Sequence, residues 1–405
     1  MGGDSRANRE GSAGEVFGAF LKLGLTSFGG PIAHLGYFRD ELVTRRKWLD
    51  DRAYADLVAL CQFLPGPASS QTGFALGLMR AGALGGLAAW VAFTLPSALL
   101  MLLFAMGAAS MEGPVAAGAI HGLKLVAVAV VAQAVWGMAR TLAPDRPRAG
   151  IALLAWFAVA LLPTWAGQVG AILTGGLLGL WLCRGMVDTA GAAAMPSPVG
   201  RRAAILALVV FAALLLGLPV LAAVSGSHAV ALADSFYRAG SLVFGGGHVV
   251  LPLLEAETVA RGWVSADGFL AGYGAAQAVP GPLFTFAAYL GAVSGPEPNG
   301  PMGAAIALVA VFLPGLLLVA GTLPFWAELR SRPRARAAMA GANAAVVGVL
   351  GAAFYDPVWT SAVTMPLDAA LAAAGFVALT VFRAAPWMVV MALAAIGASL
   401  GLLGG

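Results

Sequence analysis

The strongest constraint in this sequence is a series of apolar stretches, each long enough to cross a lipid bilayer. Four of them cover residues 84–110, 115–139, 203–224 and 301–327. A helix of about 20 apolar residues spans a hydrocarbon layer of roughly 30 Å. Only 10% of the 405 residues are charged, whereas about a quarter are charged in a soluble domain. We therefore predict an all-α polytopic membrane protein, and a water-soluble fold is excluded.

The sequence also contains an internal repeat. Residues 20–31 read FLKLGLTSFGGP, and residues 236–247 read FYRAGSLVFGGG. Further matches follow in the same order in both copies, including a Gln-x-x-Pro-Gly-Pro motif in each. Such ordered self-similarity indicates a duplication. The predicted organisation is a cytoplasmic tail (1–15), a first repeat (16–185), a linker (186–229) that contains an extra transmembrane helix (203–221), and a second repeat (230–405).

Where a loop of one repeat is rich in basic residues, the equivalent loop of the other repeat has few or none. The loop after the Pro96 helix has no basic residue in the first repeat, whereas the second repeat carries four arginines over 330–336. The next loop reverses this bias, with arginines over 140–148 and none over 355–366. Because Lys and Arg favour cytoplasmic loops, we predict inverted topology, with a cytoplasmic N-terminus and a periplasmic C-terminus. This threading gives about nine full spans plus four broken or re-entrant segments.

Each repeat contains two predicted helix breaks, a glycine turn and a Pro-Gly-Pro motif. Glycine permits positive φ and close backbone approach, and proline cannot continue the helical hydrogen-bond ladder. The N–H groups and dipole of a half-helix that begins at such a break favour an anion. We therefore predict one anion path between the breaks, with packing kinks as the alternative interpretation. The residues of this path are Gly29, Gly30, Pro65, Gly66 and Pro67, and in the second repeat Gly245, Gly246, Pro280, Gly281 and Pro282.

Charged and amide side chains near the breaks are further candidates for substrate binding. Arg45 matches Arg261, and arginine offers paired donors that suit a tetrahedral oxyanion; ordinary positive-inside loop charge is the alternative. Lys124 lies within an apolar stretch, where an ionisable group is a functional candidate; snorkelling to the interface is the alternative. The remaining predicted substrate-binding residues are Lys22, Arg238, Gln62 and Gln277.

Four ionisable residues are predicted as candidates for proton coupling, namely His34, Glu41, Glu257 and His248. Histidine titrates near neutral pH, although a structural hydrogen bond is the alternative role for His248. Glu41 matches Glu257, and either carboxylate could instead hold the nearby arginines.

Three motifs of the first repeat, FGGPIAH (28–34), RRKWLDD (45–51) and CQFLPGP (61–67), resemble the chromate ion transporter family of the long-chain, two-domain type. In the second repeat, FGGGH (244–248) and AQAVPGP (276–282) resemble the same family. The resemblance implies two homologous domains of opposite orientation that export chromate from the cytoplasm. The second repeat lacks the Pro-x-Ala-His stretch, so its histidine is not expected to be equivalent to His34.

The expected function is therefore a secondary transporter of the bacterial inner membrane that exports chromate and confers chromate resistance. An inside-negative potential drives a dianion outward by about 4.6 kcal/mol per 100 mV, and the chain has no GxxxxGK[ST] nucleotide-binding motif. A transporter of another oxyanion, such as sulfate, is the main alternative. A membrane hydrolase is disfavoured because no catalytic motif is present.

Neither a cofactor nor a metal site is expected, because Cys61 and Cys183 are far apart and fit no ligand spacing. The predicted partners are membrane lipid and chromate or a similar oxyanion, with sulfate as a competitor and no nucleic acid. The oligomeric state stays open, a homodimer being one alternative.

Overall fold

The structure, a computed structural model, describes residues 11–108, 113–162, 164–184, 198–243, 249–330 and 332–404. These described residues form helices and connecting turns, with no strand among them. Six of their helices are long and apolar enough to cross a membrane. The prediction of an all-α polytopic membrane protein is confirmed.

The first repeat forms seven helices in the described ranges, and an eighth follows at the predicted extra span. A π-helical turn over Arg39–Arg45 continues the second of them. The fourth helix is interrupted at Ala81 and Gly82, which separates the predicted broken segment from the next span. The helices are α1 (Ala13–Thr26), α2 (Gly30–Phe38), α3 (Asp51–Phe63), α4 (Ala68–Ala108), α5 (Pro114–Leu142), α6 (Arg146–Leu161), α7 (Trp165–Leu182) and α8 (Arg201–Ser225).

The second repeat follows the same order with shorter pieces. Its helices are α9 (His228–Ser241), α10 (Val250–Thr258), α11 (Ala266–Ala276), α12 (Phe286–Val293), α13 (Gly300–Thr322), α14 (Trp326–Arg330), α15 (Pro333–Ala353), α16 (Thr360–Ala362), α17 (Pro366–Thr380) and α18 (Pro386–Gly404). By the repeat matches, α9, α10 and α11 correspond to α1, α2 and α3. The pair α12 and α13 corresponds to the two parts of α4, and α15, α17 and α18 correspond to α5, α6 and α7.

The two repeats pack reciprocally. Helix α5 of the first repeat lies against α17 and α18, and its counterpart α15 lies against α6 and α7. Glycines allow these close approaches. Gly122 lies directly on the backbone of Leu393, and its counterpart Gly341 lies on the backbone of Gly175, so that a Cβ at either glycine would clash. Each repeat therefore completes its helix packing with the last helices of the other.

Candidate functional site

The helix breaks of the two repeats meet at the boundary between the repeats. The N–H of Gly281 donates to the carbonyl of Ser27 over 2.9 Å, and the N–H of Gly66 donates to the carbonyl of Val243 over 2.7 Å. Ser27 and Val243 are equivalent residues that directly precede the two FGG stretches. Each Pro-Gly-Pro break thus binds the residue that directly precedes the FGG stretch of the other repeat. We name the contact of Ser27 with Gly281 the first crossing, and that of Val243 with Gly66 the second crossing.

The backbone at these breaks has the conformation that the sequence predicts. Positive φ angles of 99°, 80°, 124° and 97° occur at Gly29, Gly30, Gly66 and Gly281. Residues with a Cβ rarely adopt such angles, so the turns need glycine. The flanking prolines Pro65, Pro67, Pro280 and Pro282 lie in the non-helical links after α3 and α11. The predicted residues Gly245, Gly246 and His248 lie outside the described residues.

Beside the breaks, the first repeat forms an ion cluster around a buried carboxylate. Glu41 accepts hydrogen bonds from Lys22 Nζ (2.9 Å), from Arg46 Nε (2.8 Å) and from Arg45 Nη2. The side chains of Lys22 and Arg45 are 50% and 59% exposed. We name these four residues the first ion cluster; it combines three cations with one carboxylate.

The pKa of Glu41 follows from this surrounding. Burial alone would raise the pKa of the carboxyl, but the hydrogen bonds from Arg46, Lys22 and Arg45 outweigh burial and lower the pKa to about 2. Glu41 lies between the predicted membrane segments 16–36 and 53–82. A carboxylate that stays ionised far below neutral pH is a poor proton carrier, so the geometry favours a role in holding the cations.

The second repeat forms an equivalent ion cluster from Asp234, Arg238, Glu257 and Arg261. Arg238 contacts both carboxylates, at 2.8 Å from Asp234 Oδ2 and 2.8 Å from Glu257 Oε1, and Arg261 Nη2 lies 2.9 Å from Glu257. The sequence spacings are those of the first ion cluster, 19 residues and then four. The second ion cluster pairs two cations with two carboxylates, and its Arg238 side chain is only 9% exposed.

The structure therefore brings Lys22 together with Arg45, and Arg238 together with Arg261, each pair within its own repeat. The sequence matches make Glu41 and Glu257 equivalent carboxylates that could hold the nearby arginines, and they leave the pairing with Lys22 and Arg238 unassigned. They also do not predict that the two ion clusters differ in net charge and in solvent exposure. This difference arises because Arg46 joins the first cluster, whereas Asp234 joins the second.

Lys124 belongs to neither ion cluster. Its Nζ donates to Asp267 Oδ1 at 2.8 Å and to the carbonyl of Ser361 at 3.2 Å, which joins α5 to the second repeat. Gln62 is exposed on α3, whereas Gln277 is half-buried at the end of α11. The Nε2 of Gln277 has no hydrogen-bond partner.

The first crossing also contains His34, a predicted candidate for proton coupling, together with two buried serines that the sequence does not single out, Ser69 and Ser97. His34 Nδ1 lies 3.4 Å from Ser69 Oγ, and the imidazole packs edge-on against Phe93 with the ring centres 5.4 Å apart. The Ser97 hydroxyl lies beside Gly281. Ser69 lies two residues after a Pro-Gly-Pro motif and Ser97 directly follows the helix proline Pro96, and this position next to a break was the available signal.

Comparison with known proteins places these features in a family. The chromate transporter family model matches residues 14–180 and 230–398, close to the two predicted repeats. The chromate transport protein of Pseudomonas aeruginosa is 32% identical over 360 residues, which cover 87% of this chain and 82% of that protein. The probable chromate transport protein of Synechococcus elongatus is 28% identical over 354 residues, which cover 82% of this chain and 81% of that protein.

A third relative, the chromate transport protein of Cupriavidus metallidurans, is 25% identical over 356 residues, which cover 86% of this chain and 83% of that protein. No solved structure matches this chain. Each matched region contains one Pro-Gly-Pro break and one of the residues, Ser27 or Val243, that such a break binds at a crossing. The chain belongs to the chromate transporter family.

Proposed function

We propose that this protein exports chromate from the cytoplasm and thereby confers chromate resistance. The observation that carries the proposal is the reciprocal contact of the helix breaks at the two crossings. In secondary transporters with inverted repeats, broken helices of the two repeats form the substrate site near the middle of the membrane. Membership of the chromate transporter family supports chromate as the substrate.

The proposed driving force is the membrane potential. An inside-negative potential moves a divalent anion outward by about 4.6 kcal/mol per 100 mV, which favours a concentration ratio above a thousandfold. Exchange against protons is a further proposed contribution, with His34, Glu257 and His248 as its candidates. Glu41 is the weakest of the four predicted candidates for proton coupling, because its low pKa keeps the carboxylate ionised.

The proposed orientation places the first ion cluster at the cytoplasmic face of a bacterial inner membrane. The loop after the first glycine turn carries Arg39, Arg45, Arg46, Lys47 and Arg52, which favours the cytoplasm. The N-terminus is then cytoplasmic and the C-terminus periplasmic. Three cations around a single carboxylate attract anions to this face.

Everted membrane vesicles test the direction and the driving force. Vesicles from cells that express the protein should accumulate labelled chromate, and an inside-positive diffusion potential should raise the initial rate. A pH gradient imposed without a potential measures the proton contribution, and excess sulfate tests competition. Chromate uptake equal to that of vesicles without the protein would contradict the proposal.

A further inference from the structure

The first crossing is lined by polar side chains that are excluded from solvent. Ser27, His34, Ser69 and Ser97 are each at most 3% exposed. They come from four places along the chain: Ser27 directly follows α1, His34 lies in α2, Ser69 lies at the start of α4, and Ser97 lies in the Pro96 region of α4. Gly281 of the second repeat closes the group, because its N–H binds the Ser27 carbonyl and its Cα lies beside the Ser97 hydroxyl.

Two polar atoms in this group have no hydrogen-bond partner. They are Oγ of Ser27 and Nε2 of His34, and the backbone carbonyl of Ser27 lies close enough to interact with the imidazole. A buried polar atom without a partner is costly, and in a native protein it calls for a ligand or an ordered water. When Nδ1 of His34 accepts the hydroxyl proton of Ser69, Nε2 carries the ring proton and can donate it. Both orphaned groups are then hydrogen-bond donors.

The equivalent positions of the second crossing are apolar. By the repeat matches, Ser27, His34, Ser69 and Ser97 correspond to Val243, Val250, Phe284 and Gly315. The three apolar side chains among them are buried. Among the described residues, therefore, the polar group exists in only one of the two equivalent places.

The second crossing is also packed and hydrogen-bonded through other residues. The ring of Phe284 lies 5.7 Å from that of Phe312. Gln71 Nε2 donates to the carbonyls of Pro65 and Gly315, over 2.8 and 3.2 Å. The Oε1 of Gln71 has no hydrogen-bond partner, but it is an acceptor and has no proton to donate to an anion. These contacts join the Pro65 break to α13, so that the second crossing is a closely packed contact between the repeats.

We propose that the first crossing binds the dehydrated tetrahedral oxyanion through uncharged hydrogen-bond donors. The second crossing is a packing contact between the repeats that binds no substrate. The proposal rests on the proposed transport function and names its substrate site. The donors are the hydroxyl of Ser27 and Nε2 of His34, whereas the Ser69 hydroxyl orients the imidazole through Nδ1 and the Ser97 hydroxyl donates to the carbonyl of Thr94.

Neutral donors suit a site that must release its anion. Hydroxyl and imidazole groups replace the water that the oxyanion loses, and they do so without a fixed buried charge, which would hold the anion too strongly for transport. Helix α2 begins at Gly30, four residues before His34, and directs its positive end toward the turn after Ser27. The cations of the first ion cluster then attract the anion, while the first crossing selects it.

Exchange of equivalent residues between the repeats tests this assignment. Ser27→Val introduces the residue found at position 243, and Val243→Ser makes the reverse change as the matched control. Ser27→Val should lower the rate of chromate uptake at subsaturating concentration about tenfold, which corresponds to about 1.4 kcal/mol. Val243→Ser should stay within about twofold of the unchanged protein. His34→Val, which copies Val250, should lower uptake as Ser27→Val does.

Thermal unfolding of the purified protein with sodium chromate or sodium sulfate gives a readout independent of transport. The melting temperature of the unchanged protein should rise with chromate, and that of Ser27→Val should rise much less. If Ser27→Val does not reach the membrane, Ser27→Ala removes the same hydroxyl without added bulk. A Ser27→Ala protein that binds and transports chromate normally would overturn the site assignment.

These experiments distinguish an error in the proposed substrate site from an error in the proposed transport function. Normal chromate transport by all Ser27 and His34 variants would remove the site and leave the transport function intact. If instead the unchanged protein transports no chromate, and sulfate stabilises it but not Ser27→Ala, then chromate as substrate is wrong and the oxyanion site stands.

Discussion

At the scale of single residues, the two ion clusters show how equivalent positions acquire different properties. Glu41 and Glu257 occupy the same place, and each binds a cation 19 residues earlier and an arginine four residues later. The first ion cluster has a surplus of cations and exposed ends, whereas the second is charge-balanced and mostly buried. Exposed charge acts mainly on the rate at which an anion arrives, and salt screens it.

Replacing Arg45 with glutamine should therefore lower chromate transport severalfold at low ionic strength. The loss should shrink as inert salt is raised, because screening weakens the same attraction in the unchanged protein. Arg261→Gln is the matched control in the charge-balanced cluster, and its effect on transport should not depend on salt. The measurement is the initial uptake rate in vesicles across a salt series. A loss in Arg45→Gln that is constant across the series would assign Arg45 a role other than attraction.

At the scale of elements, the glycine of each Pro-Gly-Pro break combines a positive φ with a close contact. A Cβ at Gly281 would lie 2.8 Å from Ser97 Oγ, at a φ of 97°. Alanine in a left-handed conformation costs about 1–2 kcal/mol, and here the added methyl group also presses on the first crossing. The break thus depends on this glycine for both its turn and its contact.

Gly281→Ala should therefore abolish or strongly reduce chromate transport, with a lower yield of folded protein. Gly226→Ala is the control, because Gly226 also has a positive φ, of 61°, but ends α8 with no atom within 4 Å of its Cβ position. Uptake per amount of membrane-inserted protein separates lost function from lost folding. Equal uptake by the two variants would show that backbone strain, rather than the crossing, determines the effect.

The sequence predicts where the helices break but not which segments the breaks contact. Proline and glycine act locally, so Pro65, Gly66 and Gly281 can be read directly from the chain. The partners Ser27 and Val243 are distant in sequence, and nothing local identifies them. Ser27 also looks like an ordinary small polar residue, and it gains its significance only beside His34 and Gly281. A comparison of equivalent positions could have found it, because its counterpart is a valine.

At the scale of the whole molecule, the two repeats complete each other. Helices α5 and α15 each bury small residues against the last helices of the opposite repeat. A single repeat would leave these surfaces exposed, together with the backbone groups that pair at the crossings.

Co-expression of the two repeats as separate chains, divided between residues 190 and 191 in the predicted linker, should restore chromate transport. Either repeat alone should give none. Capture of one repeat through an affinity tag should retrieve the other from detergent-solubilised membranes, since the reciprocal helix contacts do not depend on the linker. Transport by an isolated repeat would contradict the need for both crossings.

Four buried polar residues of the first crossing have apolar counterparts at the second crossing, and this difference has an evolutionary consequence. In a symmetric dimer of single repeats, every mutation appears twice, so both crossings would have to be polar or both apolar. Duplication within one chain removes this restriction and lets natural selection act on each copy separately. One copy can then keep Ser27 and His34 while the other accumulates Val243 and Val250, so that the fused chain specialises where a symmetric ancestor could not.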